Sequence, residues 1–431
     1  MGANMLEANY TSVDQPPLAL IPVPQPKGPS ELSYPAEFRD QIMIDVIHDG
    51  RVIPSEFLVD SQGRTIPESV FLESYIRERD WGASMVAARL SERLGLPGYQ
   101  KINTARCLID FGRFPGSTPK NASHLRRFAI NYPFSNLLGF DQKRRLLEGY
   151  YDRISDGMDT VLQHGCVLKI AIHTYDQYNQ SGTERPQVSL VSRALSYQHE
   201  SAMPQGVFDP LFPDILAEFT SNRTLRDRIS LSLHKSGIPV AHNYPYLLPE
   251  GSPEVRTQVW SYFSYLRHRF EEECPKTRQS AEYHLVWEML LDTNLRSSSS
   301  ESLRSYLHMY RRPPNGRSRE FARAAKAYRK IHNFAEENKL TLADDFRKSH
   351  HRLSALGIEV RKDLVWAFDE QGKPGAPYPE RAAHIADIIA DAVIIYLNDD
   401  HIIPNQESPI FLQNDPWYRV TIPNDKMLTE T

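Results

Sequence analysis

The chain has 431 residues, 40% of them hydrophobic and 24% charged, a composition that supports a large buried core and excludes a disordered or fibrous protein. Its formal net charge of -4 leaves no excess of Lys and Arg to neutralise a nucleic-acid backbone or an anionic membrane, so neither is expected as a partner. The cysteines Cys107, Cys166 and Cys274 are odd in number and far apart, which argues against a disulfide framework and against a cysteine-zinc site; with no leader-like or membrane-spanning apolar run, the expected compartment is the cytoplasm.

Residues 1–38 read as a proline-rich arm, with Pro16, Pro17, Pro22, Pro24 and Pro26 leaving few backbone donors to offer a sheet. The run from Gln41 to Ile47 is short, β-branched and almost unbroken, the pattern of a buried central strand, and it ends at the turn His48-Asp49-Gly50. Residues 68–94 carry Ile76, Trp81, Met85, Leu90 and Leu94 among charges and stop at Gly95 and Pro97, which predicts a helix. Cys107-Leu108-Ile109 reads as a second strand ending at Asp110-Phe111-Gly112-Arg113. A helical stretch from about Asp141 to His164 precedes a third strand, Cys166 to Ile172, which ends at His173. Strands separated by helices predict an α/β fold with a mixed, largely parallel central sheet flanked by helices.

Residues 253–350 are rich in Arg, Glu, Tyr and Ser at helical spacing and include Ser297 to Ser300 and the turn Pro313-Pro314-Asn315-Gly316. They read as a helical insertion, which leaves 39–252 and 351–431 as the α/β domain. Strand character returns at Gly357 to Val360, and Arg381 to Leu397 predicts a last helix.

In such sheets ligands bind beyond the carboxyl ends of strands. His48, Asp110 with Arg113, and His173 each follow a predicted strand end. Two imidazoles and a carboxylate make a typical catalytic zinc shell with one position left for water. An ion so held brings the pKa of its water to about 7 and polarises a carbonyl. Taken singly, a histidine at a strand end is more often a hydrogen-bonded structural residue than a ligand. Glu56 is an alternative carboxylate ligand. His332 and the pair His350-His351 lie in strongly charged stretches that read as solvated helix faces. No phosphate-cradling glycine loop and no Gly-x-Ser-x-Gly elbow occurs, which removes nucleotide and serine-hydrolase readings.

Taken together in order, Ile47-His48-Asp49-Gly50, Asp80-Trp81, Ala105-Arg106-Cys107-Leu108-Ile109-Asp110-Phe111-Gly112-Arg113, Ala171-Ile172-His173-Thr174 and Ile358-Glu359-Val360 resemble the N-formylglutamate amidohydrolase family. That family's fold is similar to the zinc carboxypeptidases and the aspartoacylase group. The resemblance implies a zinc ion, or another divalent metal, on His48, Asp80 and His173, with Glu359 as general base and acid. It implies that Arg113 grips a substrate carboxylate and that Arg106 assists it or stabilises an oxyanion, with Asp110 either close to the substrate or paired with one of these arginines to hold the loop. Arg193, which follows the third ligand closely in the sequence, reads either as a substrate-binding group or as a member of a surface ion pair. The chain departs from the family pattern where Gly112 replaces an Asn and where Tyr150-Tyr151-Asp152-Arg153 replaces a Pro-Tyr-His segment. The Gly-Gly and arginine segment after the third ligand is absent, and His242-Asn243-Tyr244-Pro245-Tyr246 stands in its place. The expected activity is hydrolysis of the amide bond of an N-acyl amino acid or a related acidic amide or peptide. The substrate is expected to be a small molecule or peptide bearing a carboxylate. A carboxypeptidase-like peptidase and an inactive relative serving as a binding or regulatory protein are the alternatives.

Overall fold

The run Ile42–Val46 pairs parallel with Gly98–Ile102 on one side and with Leu168–Tyr175 on the other, and these three strands set the direction in which the candidate ligands leave the sheet. The computed structural model describes residues 9–24, 33–122, 127–163, 165–179, 181–194, 209–213, 220–249, 251–294, 296–309, 311–347 and 352–399, with single positions at 216 and 349. The strands are β1 (Leu18–Pro22), β2 (Ile42–Val46), β3 (Gly98–Ile102), β4 (Leu168–Tyr175), β5 (Val188–Val191), β6 (Val240–His242) and β7 (Ser354–Arg361). They form one sheet in the order β1-β3-β2-β4-β7-β5-β6, and a separate ribbon joins β8 (Trp366–Phe368) to β9 (Pro374–Pro377). β5 and β6 are also parallel, while β1 on β3 and β5 on β7 are antiparallel, so the sheet is mixed as the sequence predicts.

Among the described residues, the α-helices of nine residues or more are α1 (Glu68–Glu78), α2 (Ala83–Arg93), α3 (Asp152–Gln163), α4 (Arg223–Lys235), α5 (Pro253–Glu273), α6 (Ala281–Leu291), α7 (Ser298–Leu307), α8 (Ser318–Glu337), α9 (Lys339–Arg347) and α10 (Pro379–Leu397). Backbone contacts divide the chain into two compact units. Among the described residues, the first contains those up to Val191, Thr224–Tyr246 and Leu356–Asp399; the second contains those of Ser192–Arg223 and Leu247–Ala355. The helices expected for 253–350 are present, and the second unit also takes in 192–223. The reason is hydrogen bonding: Thr220 N donates to Ser192 O, Ala355 N donates to Thr220 O, and Leu248 N donates to Arg193 O. His350-His351 and residues 400–431 lie outside the described residues.

Three expectations need correcting. The arm is not merely a strap, because Leu18 to Ile21 is free of proline and adds an edge strand to β3, with Pro22 at its end where a missing donor is tolerated. The strand that precedes the Arg106 loop is Gly98–Ile102, not Cys107 to Ile109, which forms a turn held by a bridge from Ile109 to Ile130. The helix expected for 68–94 is two helices broken at Arg79 to Gly82.

The core of the sheet contains one charged pair. Lys169 on β4 and Asp45 on β2 are 0% and 1% exposed at the side chain, and Lys169 Nζ lies 2.7 Å from Asp45 Oδ2. Around the sheet, Val86, Ala87 and Leu90 turn the apolar stripe of α2 inward. On its other side Arg89 and Arg93 pair with Asp387 and Asp391 of α10. No helix among the described residues is long and apolar enough to cross a membrane.

Candidate metal centre

Each candidate ligand owes its place to local backbone constraints. His48 follows β2 in a turn that needs glycine two residues on, because a Cβ at Gly50 would lie 2.3 Å from Thr104 O. Asp80 occupies the break between α1 and α2. There Gly82 adopts φ +88° against Val365, a conformation that side-chain-bearing residues rarely take. Asp80 N donates to His48 O at 3.0 Å, so the two loops are hydrogen-bonded to each other. His173 lies inside β4 rather than beyond its end, and Glu359 lies inside the neighbouring β7.

These placements bring His48, Asp80 and His173 together, with one donor atom from each within 4.8 Å of the others. Asp80 Oδ2 is 2.9 Å from His173 Nδ1 and 3.6 Å from His48 Nδ1. The 2.9 Å contact is a hydrogen bond, and the 3.6 Å separation is close to the ~3.3 Å between tetrahedral ligand atoms at zinc bonds of about 2.0–2.1 Å. His48 and Asp80 are buried, and the His173 side chain is 12% exposed. The three residues could therefore hold a metal ion.

His48 supplies the fit test. Its Nε2 lies 2.8 Å from Asp110 Oδ1, while its buried Nδ1 has no hydrogen-bond partner among the described residues. Placing the proton on Nε2, as donor to Asp110, leaves the Nδ1 lone pair facing Asp80 and open to a cation. Asp110 itself accepts from Gly112 N at 3.0 Å and lies 3.3 Å from Arg106 Nε and 3.7 Å from Arg113 Nε. It thus stands behind His48 rather than facing outward. Gly112 has a steric reason: a Cβ there would begin 3.2 Å from Asp110 Oδ1 and 3.4 Å from His48 Cε1, so a larger residue would displace that pair.

The electrostatics separate the carboxylates into two kinds. Burial alone would raise Asp80, but its contacts with His173 and His48 and the charge of Arg106 outweigh that and hold it far below the usual carboxylate range. Asp110 is held low in the same way, by Arg106, His48 and Arg113. Glu359 goes the other way: burial, reinforced by the charge of Asp80, raises its pKa although His173 and Arg106 pull it down. Arg106 is kept charged against burial by Asp110, Asp80, Glu78 and Glu359.

Arg113 differs from Arg106. Its side chain is 13% exposed and makes no guanidinium hydrogen bond among the described residues, only the 3.7 Å approach to Asp110. Burial and the nearby charges of Arg106 and Arg127 lower its pKa despite Asp110, so an added anion would relieve its surroundings. Arg127 and Glu78, which the sequence reading passed over, complete this group: Arg127 Nη1 is 3.5 Å from Glu78 Oε1, and Arg106 Nε is 4.0 Å from Glu78 Oε2. Nothing in their spacing marks them in the sequence. Arg193 is 3% exposed and belongs to the second unit. Glu56 pairs with Arg145 at 3.2 Å, both about half exposed, and takes no part in the His48 cluster.

No protein-family model matches the sequence, and no curated protein matches it. Solved structures similar to it include gene product Atu2144 from Agrobacterium tumefaciens, 12% identical with a TM-score of 0.42, the match covering 90% of this chain and 98% of that one. They also include an N-formylglutamate amidohydrolase from Ralstonia eutropha JMP134, 12% identical with a TM-score of 0.44 over 88% of this chain and 98% of that one. Likeness of this degree carries no activity across.

Proposed function

We propose that the chain is a metal-dependent amidohydrolase that cleaves the amide bond of an N-acyl amino acid or a related acidic amide. The observation that carries this reading is the cluster of His48, Asp80 and His173, with a half-buried Glu359 of raised pKa in electrostatic contact with all three. A divalent ion there, zinc by the chemistry of its donors, would supply Lewis-acid polarisation of the carbonyl and activation of water.

The chain's own groups do the rest. Glu359 takes the proton of the attacking water and delivers it to the leaving nitrogen; a carboxylate whose pKa is raised by burial can serve as both base and acid. Asp110 fixes the tautomer and angle of His48 through the 2.8 Å contact to Nε2. Arg106, 3.3 Å from both Asp80 and Asp110, keeps them ionised and places positive charge where negative charge develops on the substrate. Arg113 has an unused guanidinium fork and binds the substrate carboxylate, which is the source of the preference for acidic amides.

The test is elemental analysis of the purified full chain, followed by assay of amine release from a panel of N-acyl amino acids with and without a chelator. About one zinc per chain and chelator-sensitive amine release are expected. A protein that neither retains nor binds zinc, or that hydrolyses the panel equally well after metal removal, would overturn the reading.

A further inference from the structure

Immediately beside two of the three ligands lies a second buried pair that the proposed chemistry does not use. Asp49 follows His48 and Arg79 precedes Asp80, and they are 1% and 2% exposed. Arg79 Nε donates to Asp49 Oδ1 at 2.7 Å, and Asp49 Oδ2 accepts from Ser84 N at 3.2 Å at the start of α2. The rest of the guanidinium is held too: Nη1 donates to Tyr75 Oη at 3.0 Å, and the guanidinium carbon lies 4.1 Å from the centroid of the Trp81 ring. Trp81 is pinned in turn, its Nε1 donating to Ile76 O at 2.8 Å.

Trp81 N donates to Arg79 O at 3.1 Å and Ala83 N to Asp80 O at 3.1 Å, so the chain turns tightly at Asp80. Arg79 and Trp81 lie against each other, while Asp80 between them reaches His173 Nδ1 at 2.9 Å. A second cation stands near the pair, with Lys101 Nζ 3.9 Å from Asp49 Oδ2.

We infer that the Asp49–Arg79 pair is a positioning device for the metal centre. It joins the His48 and Asp80 loops from behind and sets the separation of their ligand atoms before an ion arrives. The inference rests on the metal reading of His48, Asp80 and His173. Lysine cannot reproduce it, because one ammonium lacks the flat fork that reaches Asp49 and Tyr75 while lying against Trp81.

The experiment compares zinc affinity of the metal-free full chain, by calorimetric titration, for wild type, Arg79→Lys, Asp49→Asn and Arg89→Lys. The last variant alters an ion pair to Asp387 and serves as the structural control. Visible absorption of the cobalt-loaded proteins reports ligand geometry, and thermal melting of the metal-free forms reports stability. We expect Arg79→Lys and Asp49→Asn to weaken zinc binding about 10- to 100-fold, the range typical of groups behind a metal ligand, and to shift the cobalt bands. Arg89→Lys should change neither. Asp49→Asn keeps size and one acceptor, so it carries the test if Arg79→Lys does not fold. Wild-type affinity and unshifted cobalt bands in both site variants would overturn the positioning role while leaving the metal centre intact. A wild type that takes up no zinc would bring down the metal reading, and the positioning role with it.

Discussion

Asp80 in the first unit and Asp209 in the second are both buried carboxylates, 1% and 3% exposed, each with histidine and other polar neighbours, yet only Asp80 belongs to a candidate site. Asp209 Oδ1 accepts from Tyr328 Oη at 2.7 Å and from Leu211 N at 3.0 Å, while His308 Nε2 stands 3.7 Å from Oδ2. The hydrogen bonds of Oδ1 tie helix α8 to a neighbouring loop, while Oδ2 is buried with no hydrogen-bond partner among the described residues. Asp80 instead faces two imidazoles, so that donor atoms of three residues converge. Neither burial of charge nor a single unmet atom is therefore what marks a site. The convergence of donor atoms from separate segments is.

That contrast can be broken experimentally. The largest effect is expected for Asp80→Ala and His173→Ala, which should reduce bound metal from about one per chain to near zero by elemental analysis. Asp209→Asn should leave metal content unchanged; a loss of metal in that variant would erase the distinction. Next, Glu359→Gln should retain the metal and lower kcat by about 10²- to 10⁴-fold, the usual contribution of a general acid-base group. A variant that keeps its activity would assign the proton transfer elsewhere. Arg113→Lys should raise KM for acidic amides by about 10-fold or more with a smaller change in kcat, since only one of two parallel donors survives.

Smaller effects concern stability. Asp209→Asn should cost about 1–3 kcal/mol in denaturant melts, because Tyr328 and Leu211 would lose a charged acceptor. In the metal-free protein, Glu359 has a folded pKa above its unfolded value of 4.5. Its folded form binds the extra proton, so wild-type stability falls as pH rises from 4.5 through the raised folded value. Glu359→Gln should be indistinguishable from wild type at the acid end and more stable above that window. A constant difference across pH would mean that Glu359 is not the group held protonated.

The strands β2, β4 and β7 are legible in the sequence because each is a β-branched run buried on both faces, and this also placed His48, His173 and Glu359 near the sheet. β3 was not legible, because Gly98-Tyr99-Gln100-Lys101-Ile102 is half polar and reads as loop. Nor was the break at Arg79, where a charged residue that looks solvent-facing is buried by long-range partners. Asp80 entered the candidate site only through a family resemblance, since no periodicity distinguishes it from other acids on a helical stretch. The grouping of Arg106, Glu78 and Arg127 depends on contacts between segments 28 and 49 positions apart, which local pattern does not encode.

The buried ion pair between Asp45 and Lys169 also bears on the accuracy of the site. Its two members lie on adjacent parallel strands; His48 follows one of them and His173 lies within the other. Sliding one strand past the other by a single residue would displace its histidine by about 3.3 Å and turn a charged side chain to the opposite face, away from its counterion. The pair works as an alignment key deep in the sheet: a mispaired chain would lose its charge balance in the core and its ligand set at the rim in the same step, so correct strand pairing and a competent centre are selected together.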